Sequence, residues 1–143
     1  GLIYGTSLLE CALSKTDSLY PGDADLAIIN PTGQLECILE YKKHNLNTSI
    51  SLQKLSNYYP RPDGRKYNRL AILRDFLDKK LPLLNIYYPT KPNFSEGRLE
   101  LLQGSNNNLS TNAASNFSLE EVKKNPIFLL DKILKAVAYH NNL

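Results

Sequence analysis

Residues 25 to 41 constrain this chain more than any other stretch. Asp25-Leu-Ala-Ile-Ile29 and Leu35-Glu-Cys-Ile-Leu-Glu-Tyr41 are two apolar runs broken by carboxylates, joined by Asn30-Pro-Thr-Gly33. Proline and glycine at such a junction favour a turn, so the segment predicts a β-hairpin. With Thr32-Gly33 as its tip, paired positions sum to 65 and Asp25 lies opposite Glu40. Strand side chains alternate between faces, so Glu40 and Lys42 point the same way and Tyr41 points the other. A slip of one residue, through a three-residue loop or a bulge, would separate the two acids.

The remaining pattern predicts α/β organisation. Ser7-Leu-Leu-Glu10 has the capping-box form and starts a short helix over about 7–15. Asn47-Thr-Ser49 begins a second helix ended by Pro60-Arg-Pro-Asp-Gly64. Tyr67 to Lys80 forms a third, with Leu70, Leu73, Phe76 and Leu77 as its apolar stripe. Leu81 to Tyr88 reads as a strand rejoining the sheet after this crossover, and Arg98 to Leu102 as an edge strand. Gln103 to Asn116 is polar and lacks apolar periodicity, so 103–118 is expected to be a flexible linker or loop. A C-terminal helix spans about 119–139, interrupted near Asn125-Pro126. The expected layout is a core over 1–102, the linker, and a helix within 119–143 that docks on the core or mediates self-association.

Composition narrows the function. No apolar stretch approaches the roughly 18 to 20 uncharged residues of a membrane-spanning helix, and no basic-then-apolar leader opens the chain, so a soluble, cytoplasmic protein is expected. There is no methionine and the chain starts at Gly1, as expected of a fragment excised or trimmed from something longer. Cys11 and Cys37 have no Cys or His at metal-ligand spacing and read as buried thiols. The net charge of +3 conceals a partition: residues 1–40 hold one Lys against six Asp/Glu, whereas 41–80 hold ten Lys/Arg against three acids. An acidic centre beside a basic surface suits collection of a cation and then a polyanion. Lys43, Lys54, Arg61, Arg65, Lys66 and Arg69 are the expected nucleic-acid contacts.

Magnesium asks little of a protein beyond one or two carboxylates and a carbonyl, because it retains several waters. Asp25, Glu40 and the Tyr41 backbone carbonyl are the expected ligands, with Mn2+ as substitute. Lys42 would stabilise charge on an attacked phosphate or deprotonate the attacking water.

The Asp at the start of one strand and the Glu-x-Lys on the next resemble the PD-(D/E)XK nuclease superfamily, the restriction-endonuclease-like fold. The resemblance covers about residues 7–90. It implies a mixed central sheet flanked by helices, here with an additional C-terminal helix, and a metal-dependent nuclease cutting DNA phosphodiester bonds with a metal-activated water. Asp25, Glu40 and Lys42 match the catalytic set. Ala24 stands where the family has Pro, Asp23 competes as first acid, and one early strand of the family's meander is not evident unless it lies near Gly1 to Gly5 or Ser18 to Tyr20. Glu10 is similar to a helix-borne Glu of many members, though it also fits the capping box. Gln53 is similar to the start of the Gln-x-x-x-Tyr motif of RecB-like nucleases, but its tyrosines fall at 58 and 59, and a place on a surface helix is its plainer reading. His44, beside two lysines, is expected in solvent. Cutting both strands would favour a homodimer. The alternatives are a catalytically weak nuclease-fold module that binds nucleic acid through residues 41–80, and a phosphodiesterase for a small nucleotide.

Overall fold

A computed structural model describes residues 24–143. The expected helix at 7–15, with Glu10 and Cys11, and the alternative acid Asp23 lie outside the described residues. The hairpin forms from β1 (Leu26–Ile29) and β2 (Leu35–His44), paired antiparallel. Asn30 builds its turn: its side-chain oxygen accepts from Thr32 N (3.0 Å), Thr32 Oγ1 (2.7 Å) and Gln34 N (2.9 Å). Gly33 takes φ 85°, a conformation open to glycine without a Cβ penalty. Leu26 pairs with Leu39, Ala27 with Ile38 and Ile28 with Cys37, the expected register; a shift at Ile28/Ile29 then sets Ile29 opposite Leu35. The irregularity lies on the turn side, so the register near Asp25 and Glu40 survives it.

Among the described residues, five strands form one mixed sheet in the order β1-β2-β3-β4-β5. β3 (Leu83–Pro89) runs parallel to β2, and β4 (Glu96–Ser105) and β5 (Asn108–Ser118) follow antiparallel. A parallel pair needs a long crossover, supplied here by two 3-10 turns (Ile50–Leu52, Leu55–Asn57) and helix α1 (Gly64–Asp78). The continuous helix expected after Asn47 does not form. Ile50, Gln53 and Leu55 turn inward instead, and Leu55 N donates to the Glu100 carboxyl at 2.8 Å. In α1 the buried face is Tyr67, Leu70, Ala71 and Arg74, and Phe76, expected in the apolar stripe, is 86% exposed. Arg74 belongs inside because its guanidinium donates to the Leu81 and Gly104 carbonyls, at 2.9 and 2.5 Å, and so ties α1 to both neighbouring chain reversals.

The strand expected at the edge, Arg98 to Leu102, is interior, because the polar segment expected to be a linker is β5, paired along β4 from Glu96↔Ser118 to Ser105↔Asn108. Asn107, at φ 65°, takes the left-handed conformation in the tight turn between them, which Asn tolerates. The final helical segment divides as expected at Asn125-Pro126, into α2 (Leu119–Lys124) and α3 (Ile127–Asn141). Ser118 Oγ caps α2 by accepting from Glu121 N at 3.2 Å.

Two cores sandwich the sheet. Ile38, Leu83 and Leu102 pack against Tyr67, Leu70 and Ala71 of α1. Cys37, Leu39, Ile86, Leu99 and Phe117 pack against Ile133 and Val137 of α3. Cys37 is a buried free thiol, as expected, and burial, aided by Glu36, pushes its pKa up to about 12. No helix among the described residues is long and apolar enough to cross a membrane.

Candidate active site

The first consequence of the hairpin register is a reciprocal clasp at its open end. Asp25 N donates to Glu40 Oε1 at 3.3 Å, and Tyr41 N donates to Asp25 Oδ2 at 2.9 Å. Each acid is therefore anchored on the backbone of the other's strand. Glu40 is buried and Asp25 is exposed. Alternation along β2 puts Ile38, Glu40, Lys42 and His44 on the face toward α1.

The opposite charge on Glu40 comes from a residue that the sequence placed only among the nucleic-acid contacts. Lys66 Nζ, on the first turn of α1, lies 3.1 Å from Glu40 Oε2. That oxygen has no other partner, so the ammonium alone offsets it, by charge and by hydrogen bonding. Burial pushes the Glu40 pKa up to about 7; Lys66 opposes the rise and Asp25 adds to it. Burial lowers the Lys66 pKa, but the neighbouring Glu40 outweighs that and the net shift is upward. The two shifts agree physically: Glu40 is the more deeply buried partner, so desolvation dominates there and attraction dominates at the half-open lysine.

Lys42 shares the face of Glu40 but is held by other groups. Its ammonium donates to Asp63 Oδ2 at 2.6 Å and sits 4.1 Å from the centre of the Tyr58 ring. Tyr58 is itself fixed, donating its hydroxyl to Gln53 Oε1 at 2.6 Å. Gln53 Nε2 donates to His44 Nδ1 at 2.8 Å, and His44 Nε2 lies 2.6 Å from the Thr48 carbonyl, which assigns its proton to Nε2. His44 is thus not solvated and Gln53 is not on a surface helix; both are buried and position Tyr58 beneath Lys42.

Lys66 carried a signal in the sequence, whereas Asp63, at the N-cap, reads as an ordinary helix start. The first turn of α1 contains Arg65 and Lys66 and no acid, against the preference of a helix N-terminus for negative charge. A local rule broken in that way points to a tertiary role.

A cleft of about 560 Å3 opens over this cluster. Asp25, Lys42, Lys43 and Lys66 line it, and Tyr41, Tyr58 and Tyr88 supply its aromatic wall. Of the expected nucleic-acid contacts, Lys43 and Lys66 are therefore brought to the site. Lys54, Arg61, Arg65 and Arg69 lie outside its lining, on the crossover and α1.

The donor set fits a hard divalent cation of the magnesium kind. It offers two carboxylates from the hairpin's open end, one with a buried oxygen whose partner is the Lys66 ammonium. No group of three or more His, Cys, Asp or Glu suited to a metal occurs among the described residues, and two carboxylates are within what magnesium requires.

The fold and site together define an α/β domain whose mixed sheet carries a carboxylate pair and lysines at one end of a hairpin. No family model, curated protein or solved structure matches the chain.

Proposed function

We propose that this protein is a metal-dependent nuclease that hydrolyses DNA phosphodiester bonds, built on the restriction-endonuclease-like plan. The observation that carries the reading is the Asp25–Glu40 clasp, with Lys42 on the same sheet face and Lys66 in contact with Glu40. The order hairpin, crossover helix, parallel strand also matches the resemblance drawn from Asp25, Glu40 and Lys42.

Asp25 and Glu40 would hold Mg2+ or Mn2+, which when bound polarises the phosphate and activates the attacking water. Lys42, fixed between Asp63 and Tyr58, supplies positive charge to the phosphate. Lys43 and Lys66 draw the backbone into the cleft. Glu40 is the residue through which loading is controlled, because a cation must compete there with the Lys66 ammonium.

The Glu40→Ala variant is expected to lose Mg2+- or Mn2+-dependent cleavage while retaining DNA binding. Full cleavage by that variant removes Glu40 from the mechanism. One observation favours a second reading, a nucleic-acid-binding module without catalysis: Lys66 and Asp63 already neutralise Glu40 and Lys42. That module would bind DNA in a salt-sensitive way, with affinity falling about 0.9 log units per log unit of salt for each phosphate contact, and would not titrate with Mn2+ in a calorimeter.

A further inference from the structure

The C-terminal helix covers the sheet unevenly. Ile133 and Val137 of α3 share one apolar core with Leu39, Leu84 and Ile86 of β2 and β3. Toward β5 the side chains that meet the helix become small. Leu99 pairs with Ser115 and Leu101 with Ala113, and directly paired residues project from the same face of a sheet, so this part of the floor is two leucines and two small residues. On α3, Lys132, Lys135, Ala136 and Tyr139 recur at three- and four-residue spacing and form one helix face. Between that face and the floor lies a cavity of about 280 Å3.

Protein interiors are normally packed without voids much larger than a water molecule. This volume exceeds the roughly 150 Å3 of an apolar cavity that accepts benzene. A hydrocarbon body therefore fits between Leu99, Leu101 and Ala136.

The rim of the cavity is basic. Lys132 is half-buried and Lys135 exposed, and among the described residues neither ammonium is in an ion pair, whereas Lys42, Lys66, Arg74 and Lys124 all are. Asp131 lies one turn before Lys135 on α3 without pairing to it. Lys132 Nζ lies 5.6 Å from the centre of the Phe128 ring. Glu100, between the two floor leucines, alternates to the opposite face, where its oxygens are held by Tyr87, Asn85, Leu55 and Thr111. The cavity thus has apolar walls, two cations and no carboxylate in its lining among the described residues. Lysine stems extend an apolar wall while their ammonium groups stay at the water side.

We propose that this cavity binds a small amphiphilic anion, of which a medium-chain carboxylate is the simplest form, with its hydrocarbon body on Leu99, Leu101 and Ala136 and its charged head at Lys132 and Lys135. Charge complementarity decides the occupant. An uncharged apolar ligand would leave both ammonium groups unused, an organic cation would be repelled by them, and a small polyanion would leave the floor unfilled. The site lies over β4 and β5, away from α1 and at the other end of the sheet from the Asp25–Glu40 clasp, so it stands apart from the nuclease reading.

Titration of the isotopically labelled chain with octanoate, followed by amide NMR shifts, tests the site, with octylammonium as the control of equal length and opposite charge. Octanoate is expected to saturate with a dissociation constant of about 6 mM or tighter, the low end of what a ligand of its size gains per atom. The shifts should centre on residues 99–101, 113–115 and 132–139. Lys132→Gln and Lys135→Gln should each weaken binding roughly 2- to 5-fold, the range for a partly exposed ion pair. Ser115→Leu, an exposed position whose longer side chain enters the cavity from β5, should abolish binding and leave the rest of the spectrum in place. Shifts centred elsewhere, octylammonium binding as tightly as octanoate, or indifference of octanoate to the Lys132→Gln, Lys135→Gln double variant would each overturn the proposal. Self-association of the chain that Ser115→Leu removes would assign the cavity to a second copy and overturn it equally.

Discussion

The two faces of the sheet solve burial differently. Toward α3, Leu39, Ile86, Leu99 and Leu101 are apolar, and their removal from water is a sufficient account of that layer. Toward α1, the cross-strand row Glu40–Asn85–Glu100 is buried and polar, flanked by Tyr67 and Tyr87. Buried polar groups cost stability unless partnered, so this face has to be read group by group.

The two carboxyls of that row then part company. Glu100 is fully served: Oε1 accepts from Tyr87 OH (2.6 Å) and Asn85 Nδ2 (3.1 Å), and Oε2 from Leu55 N (2.8 Å) and Thr111 Oγ1 (2.5 Å). Tyr67 OH closes the row by donating to Asn85 Oδ1 at 2.9 Å. Both phenols are pushed above their usual pKa, first by burial and then by Glu40 at Tyr67 and by Glu100 at Tyr87, so they remain donors. Glu40 has one long hydrogen bond from Asp25 N and one ammonium contact. A satisfied buried carboxyl is structure. A less fully served one, buried behind the cleft that Asp25 and Lys66 line, is where a ligand cation would gain most, and this contrast is the physical basis for proposing a function for Glu40 and not for Glu100.

The contrast can be broken at three strengths. The largest effect is a pH dependence. Glu40 keeps its proton in the folded chain up to about pH 7 but loses it near 4.5 once unfolded. Between those values the unfolded state binds fewer protons, so the contribution of Glu40 to stability is fully present below the lower value and is lost as pH rises through the upper one. Urea unfolding in EDTA should show the wild type losing about 3 kcal/mol relative to Glu40→Gln across that interval. A constant difference would mean that Glu40 is not desolvated as described. Next, Glu100→Gln puts an NH2 group against a fixed donor whichever way the amide turns, and should cost about 1–3 kcal/mol. The smallest effect is expected one residue along on the other face, where Leu101→Met conserves volume and should cost less than about 1.5 kcal/mol. The comparison fails if the two neighbours respond in the opposite order to denaturant.

Local periodicity and turn chemistry make part of the fold readable from sequence. The hairpin, its register at Asp25 and Glu40, the crossover helix and the break at Pro126 all follow from apolar spacing and from Asn, Gly and Pro. β5 was hidden because its side chains carry little of its stability. Among its residues, Leu109 and Phe117 are buried, and the strand is held by its ladder with β4 and by polar contacts such as Asn116 Nδ2 donating to Ser51 Oγ at 2.8 Å. A backbone ladder leaves no signature in composition. The site was legible as a pair of acids and a lysine, but its partners arrive from distant chain positions. Lys66 and Asp63 reach β2 through the placement of α1, and Gln53 and His44 meet because the expected helix gives way to short turns. Only the two cations at the α1 N-terminus gave notice of this.

The proposed cation site is formed by Asp25 and Glu40, with Lys66 neutralising Glu40 when no cation is bound. A crystal soaked in Mn2+ addresses it directly through anomalous scattering. A peak is expected between the two carboxylates, with the Lys66 ammonium displaced from Glu40 Oε2. Absence of a peak at full soak, with the Lys66–Glu40 contact intact, would contradict it.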